Sequence, residues 1–187
     1  MIKSIIAFFK KSKEAKNASW LIGGRIAQML LSFIVSIFTA RYLGPSNYGV
    51  INYAAAFVAF ATSFCTLGIN SVIIKDFVDF PEEQGKTIGT SILLRALSSL
   101  LSAIMIIIVV YFVDYGETTT IIVCGLSSVA LIFQVFDTIN YWFQYRYQSK
   151  VTSIATLIAY FITSLYKIIL LALGKNVEWF AFATSVD

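Results

Sequence analysis

Four ionisable side chains stand inside long apolar runs of this chain: Arg25, Arg95, Asp137 and Lys167. A charge at bilayer depth costs at least ~2.5 kcal/mol on insertion scales, so each must face protein, water or a partner rather than lipid. The chemistry open to the three cations is the holding of an anion, bidentately by a guanidinium and as a point charge by an ammonium. Catalysis has little to build on. Histidine is absent, which removes imidazole acid–base chemistry and histidine-ligated metal sites. There is no glycine-rich phosphate loop and no Gly-x-Ser-x-Gly, and Asp137 is the only acid well inside an apolar run. We therefore expect no catalytic residue, no metal and no cofactor.

The elements that carry these charges are apolar and long. Between Ala18 and Ala40 the sequence is broken only by Arg25, and roughly 20 apolar residues in a helix span the ~30 Å core of a bilayer. Within that run Arg25, Gln28, Ser32, Ser36 and Thr39 recur every three or four residues, which places them on one helical face. Similar stripes follow: Asn52, Ala56, Ala59, Ser63, Thr66 and Asn70; then Ser91, Arg95, Ser98 and Ser102; then Ser127, Gln134, Asp137, Tyr141 and Gln144; then Ser153, Thr156, Tyr160, Thr163 and Lys167. Small and hydroxylated residues let membrane helices pack closely, and for the second stripe, rich in alanine, packing is the reading taken. Arg95 and Asp137 have two readings, a buried ion pair with each other or separate work in a cavity. Arg25 then has no intramembrane acid left: it either snorkels to the interface or receives an anion. Lys167 lies near the opposite end of its run, where snorkelling is easy.

Composition gives the class. Hydrophobic residues make up 58% of the 187 and charged residues 13%, with a mean hydropathy of +0.81, whereas a soluble domain carries about 25% charge. We expect an all-α, polytopic transmembrane bundle with spans near 18–41, 49–74, 88–113, 118–143 and 151–173 and an incomplete sixth from 177. Eleven helical residues cover only ~16 Å, so the chain is expected to be a fragment or a truncated reading frame. Gly44-Pro45 stops the first span, and Ser46 or Asn47 is placed to cap the second. Residues 1–17 interleave Ile2, Ile5, Ile6 and Phe9 with lysines, the pattern of a helix lying on an anionic leaflet.

With the N-terminus inside, the inner segments hold Lys3, Lys10, Lys11, Lys13, Lys16, Lys75, Lys86, Arg146 and Lys150, and the outer loops only Arg41 and Lys175. That bias orients the N-terminus to the cytoplasm. It also accounts for the net charge of +4 without a nucleic-acid partner. Cys65 and Cys124 lie within apolar runs and read as small buried hydrophobes rather than a disulfide.

One stretch is recognisable. Ser19-Trp20-Leu21 leading to Gly24-Arg25, then Ala40-Arg41-Tyr42-Leu43-Gly44-Pro45-x-x-Tyr48-Gly49, resembles the opening of the polysaccharide and O-antigen flippases (Wzx-type), within the multidrug/oligosaccharidyl-lipid/polysaccharide exporter superfamily. Leu67-Gly68-Ile69, Pro81-Glu82-Glu83, Ile88-Gly89-Thr90 and Tyr141-Trp142-Phe143-Gln144 extend the likeness over nearly the whole chain. The resemblance implies most of the N-terminal six-helix lobe of an exporter of about 12–14 helices in the bacterial cytoplasmic membrane. Such an exporter moves an undecaprenyl-pyrophosphate-linked oligosaccharide (an O-antigen, capsule or exopolysaccharide unit) to the outer leaflet by alternating access. The partners expected are that lipid-linked oligosaccharide, membrane lipids, a coupling ion (H+ or Na+) and the glycan assembly machinery.

On this reading Arg25, Arg95 and Lys167 receive the pyrophosphate, and Gln28, Ser32, Asn52, Asn70, Gln134, Asp137 and Tyr160 line the cavity. Two rivals stand beside it. A multidrug or cation antiporter of the same superfamily would want carboxylates in the first span, which has an arginine instead. An integral-membrane glycan ligase or polymerase would want large extramembrane loops, and every loop here is short.

Overall fold

The computed structural model describes residues 13–66 and 69–186. Most of the expected interfacial segment at 1–17, and Leu67-Gly68 of the family-like stretch, lie outside the described residues. Every element among the described residues is helical. In order they are α1 (Lys13–Thr66), α2 (Ile69–Asp79), a 3-10 turn (Pro81–Glu83), α3 (Gln84–Val113), α4 (Thr118–Phe133), a second 3-10 turn (Gln134–Phe136), α5 (Asp137–Tyr145), α6 (Ser149–Ala172) and α7 (Val177–Ser185).

α1 is two arms, 13–43 and 45–66, joined at Gly44, whose backbone sits at φ 72, ψ 173. Only glycine adopts that conformation without strain, and Pro45 removes the next backbone donor. Neither Ser46 nor Asn47 acts as a fresh N-cap: helix runs through both, and the Asn47 amide instead donates to the Leu43 carbonyl at 3.3 Å.

The 13–43 arm is tied to α6 at one end and to the α6–α7 loop at the other. The Ser149 N–H donates to Asn17 Oδ1 at 2.8 Å and Ser153 Oγ to the Trp20 carbonyl at 3.1 Å, while Tyr42 OH donates to the Lys175 carbonyl at 3.4 Å. The 45–66 arm lies along α3, through Tyr53 OH to Asp114 Oδ2 at 2.8 Å and Cys65 Sγ to Ser102 Oγ at 3.2 Å. Ala54, Val110, Val123, Leu131, Phe180 and Ala181 form the core where α1, α3, α4 and α7 meet. Cys65 and Cys124 are both free and buried.

Large apolar side chains cover much of the outer surface: Ile22, Met29 and Phe33 on α1, Leu97, Leu101 and Met105 on α3, and Phe161 and Ile162 on α6. A soluble protein keeps exposed apolar patches to a few hundred Å²; here lipid is the matching solvent. Four stretches among the described residues are long and apolar enough to cross a membrane: Asn17–Asp79, Pro81–Val113, Thr118–Tyr145 and Ser149–Ala172. The first of them contains the bend at Gly44. This is the all-α, polytopic membrane bundle that composition and periodicity anticipate.

Candidate functional site

The polar stripes of α1, α4, α5 and α6 converge on a groove with two main chambers. The first, of about 650 Å³, is lined by Arg25 and Gln28 of α1, Asp137, Asn140 and Gln144 of α5, and Thr152, Ser153 and Thr156 of α6. The second, of about 450 Å³, is lined by Ser32, Ser36, Thr39, Asn52 and Thr62 of α1, Ser127 of α4, and Tyr160, Ser164 and Lys167 of α6. Ala130, Gln134, Thr184 and Ser185 line both and form the waist between them. A shallower hollow of about 360 Å³ continues along α1 from Arg25 and Gln28 past Ser32 and Ser36 to Tyr160.

Most hydroxyl groups in the groove are satisfied by their own helices. Ser36 donates to the Phe33 carbonyl at 2.8 Å, Thr39 to Val35 at 2.9 Å and Thr156 to Thr152 at 2.7 Å. A hydroxyl that has donated its proton still offers lone pairs. The groove wall is thus stable without a ligand, yet rich in acceptors for sugar hydroxyls. Arg25 is exposed in the first chamber, with Nη1 3.4 Å from Gln28 Oε1. Asp137 shares that chamber and accepts from Asn140 Nδ2 at 3.1 Å. Lys167 is buried in the second chamber, at 9% exposure.

The structure decides between the two readings of Arg95 and places both it and Asn70 away from the two chambers. Arg95 makes no ion pair with Asp137; among the described residues the one salt bridge is Lys86–Glu83, at 3.1 Å on the surface. Arg95 is instead buried at 5% exposure behind the groove wall. Its Nη2 donates to Asn70 Oδ1, its Nη1 donates to the Gln134 carbonyl at 3.3 Å, and its guanidinium carbon lies 5.4 Å from the centre of the Tyr141 ring. The α4–α5 break puts Gln134 rather than Asp137 beside it. Asn70 likewise lies off the groove, in α2, which packs on α3 and α5. The structure therefore gathers Arg25, Gln28, Ser32, Asn52, Gln134, Asp137, Tyr160 and Lys167 around one groove, and sets Arg95 and Asn70 together behind it.

The sequence reading missed several lining residues. The second arm of α1 turns Ala55 and Thr62 to the groove rather than Ala56 and Ser63, a rotation of the face that a mostly alanine stripe does not define. Thr184 and Ser185 of α7 reach the waist; two adjacent hydroxyls in an apolar run are the only signal they give.

A family model described as "Polysaccharide biosynthesis protein" matches residues 15–186. No curated protein and no solved structure matches the chain.

Proposed function

This chain belongs to the polysaccharide biosynthesis protein family, the family of Wzx-type flippases, and on that premise we propose that it carries a lipid-linked oligosaccharide across the cytoplasmic membrane. The observation that carries the reading is the groove: a cation in each chamber, Arg25 and Lys167, with amides and hydroxyls between, on a bundle whose outer faces are apolar. A lipid-linked glycan needs that combination, because its sugars must keep hydrogen bonds while its tail stays in lipid. Arg25 would receive the pyrophosphate in the first chamber by charge-assisted hydrogen bonds. Lys167 would meet it in the second, and the intervening side chains would contact sugars.

In the proposed topology the N-terminus is cytoplasmic, from the excess of Lys and Arg in alternate connections, and the first chamber opens inward. Residues 18–187 form the transmembrane lobe. Transport proceeds by alternating access from the inner to the outer leaflet, driven by a coupling ion or the membrane potential. The cation-antiporter reading is less well supported, because among the described residues the charged ones lining the two chambers are Arg25, Lys167 and Asp137, two cations to one acid.

The test is Arg25→Ala, expressed from the intact gene in a strain lacking that gene. Loss of a charge-assisted contact should lower surface glycan roughly tenfold or more and raise lipid-linked sugar in the membrane, with Arg25→Lys retaining part of the export. Unchanged export at a normal membrane level of the variant would overturn the assignment.

A further inference from the structure

The waist between the chambers is built on a helix break. α4 ends at Phe133 and α5 begins at Asp137, with Gln134–Phe136 wound as a 3-10 turn between them. Such a turn inside a membrane-spanning stretch re-aims backbone carbonyls where there is no water to bond their remaining lone pairs. Here the Gln134 carbonyl keeps the Asp137 N–H within the turn and receives Arg95 Nη1 at 3.3 Å on its second lone pair. The Gln134 side chain runs the other way, its Nε2 donating to Thr62 Oγ1 of α1 at 3.0 Å. Gln134 thus bridges a buried cation and the opposite wall of the groove, at the point where the two chambers meet.

Arg95 ties more than this one carbonyl. Through Asn70 it holds the first turn of α2, and through the Tyr141 ring it reaches α5. Among the described residues no carboxylate balances it, and its Nε–H is buried without an acceptor. A guanidinium held this way gives little net stabilisation by burial; what it supplies is position, because its planar fork fixes several neighbours at once.

We propose that Gln134 is a gate between the two chambers and that Arg95 is the positioning residue that keeps it shut. The Gln134–Thr62 hydrogen bond closes the waist from one side while Arg95 anchors the turn from behind. Opening requires the turn to shift and α5 to move relative to α4. This rests on the groove being the substrate path, but the gate itself is testable without any glycan.

The experiment is cysteine accessibility in membrane vesicles carrying the protein from its intact gene, with Cys65→Ser and Cys124→Ala as background. Ser164→Cys reports on the second chamber and Thr156→Cys on the first. A charged, membrane-impermeant maleimide is added from the side on which Thr156→Cys reacts. With Gln134 intact, Ser164→Cys should react slowly. Gln134→Ala, Asn70→Ala and Arg95→Met should each speed it about tenfold, the order expected when one or two hydrogen bonds leave a two-state equilibrium. Thr156→Cys should be unchanged in all of them.

If Arg95→Met fails to accumulate, Asn70→Ala tests the clamp with a milder change. Equal rates at Ser164→Cys with and without Gln134→Ala would overturn the gate. Acceleration by Gln134→Ala but by neither clamp variant would overturn the role of Arg95. Failure of the flippase reading would appear instead as undiminished export in Arg25→Ala, which this labelling does not measure.

Discussion

Gly24 of α1 and Ser153 of α6 bring their helices so close that a Cβ added at Gly24 would sit 3.1 Å from Ser153 Cβ and 3.8 Å from its Cα. The approach fixes one wall of the first chamber, since both residues line it. It also lets Ser153 Oγ reach the Trp20 carbonyl at 3.1 Å. Small residues at membrane-helix contacts allow this approach, and the gain is packing rather than hydrophobic burial.

Gly24→Val should therefore destabilise the protein by roughly 1–3 kcal/mol, the usual cost of overpacking. Gly24→Ala should cost less, because Ser153 needs to give by only a few tenths of an ångström. In a Ser153→Gly background, which itself gives up the hydrogen bond to Trp20, Gly24→Ala should cost nothing further. Thermal unfolding in detergent, followed by size-exclusion fluorescence, reads all three.

Asp137 and Arg95 should prove energetically independent. Asp137 is exposed in the first chamber and Arg95 is buried against Asn70 and Gln134. Asp137→Asn should change stability by no more than ~0.5 kcal/mol, the ordinary scale for an exposed site. Arg95→Met should cost about 1 kcal/mol, by taking the donor from the Asn70 amide oxygen while the Gln134 carbonyl keeps the Asp137 N–H. A double-mutant cycle on thermal stability should give no coupling between the two positions.

The bend in α1 depends on backbone conformation alone. Apart from its chain neighbours and its own helix backbone, nothing lies within 4 Å of a Cβ built at Gly44, yet its φ is +72 with ψ 173. Gly44→Ala should cost on the order of 1–3 kcal/mol in strain, and Gly44→Ser should cost the same, since size is not the obstacle. Gly49→Ala, a helical glycine that also has open space, should be neutral or slightly stabilising, as alanine is favoured over glycine in a helix by up to ~1 kcal/mol. Membrane expression level and thermal midpoint together check the contrast.

Lys167 should matter to transport through its charge. It is buried on α6 and lines the second chamber. Lys167→Met keeps the length of the side chain and removes the cation; surface glycan should fall several-fold, on the scale of one charge-assisted contact. Lys167→Arg should retain more export than Lys167→Met. The two are compared in the gene-deleted strain at matched protein level.

The likeness to the flippases rested on Arg41 to Gly49, a run recognisable by residue type alone, and the family match to residues 15–186 agrees with it. The membrane class was equally legible, because lipid demands long apolar helices whatever their arrangement. Most groove residues could also be found, since a polar side chain on a membrane helix has few places to go. Arg25, Gln28, Ser32, Gln134 and Tyr160 all line chambers that the stripes suggested.

Arg95 could not be placed in this way. Helical spacing sets it on a polar face, and Asp137, the one acid well inside an apolar run, is offered as a partner on a neighbouring span. The 3-10 turn at Gln134–Phe136 changed the rotation of everything after it and brought a backbone carbonyl, not a carboxylate, to the guanidinium. Periodicity tells which residues of one helix share a face. It carries no information on how neighbouring helices rotate and break against each other, so which cation meets the groove and which sits behind its wall was decided only by packing.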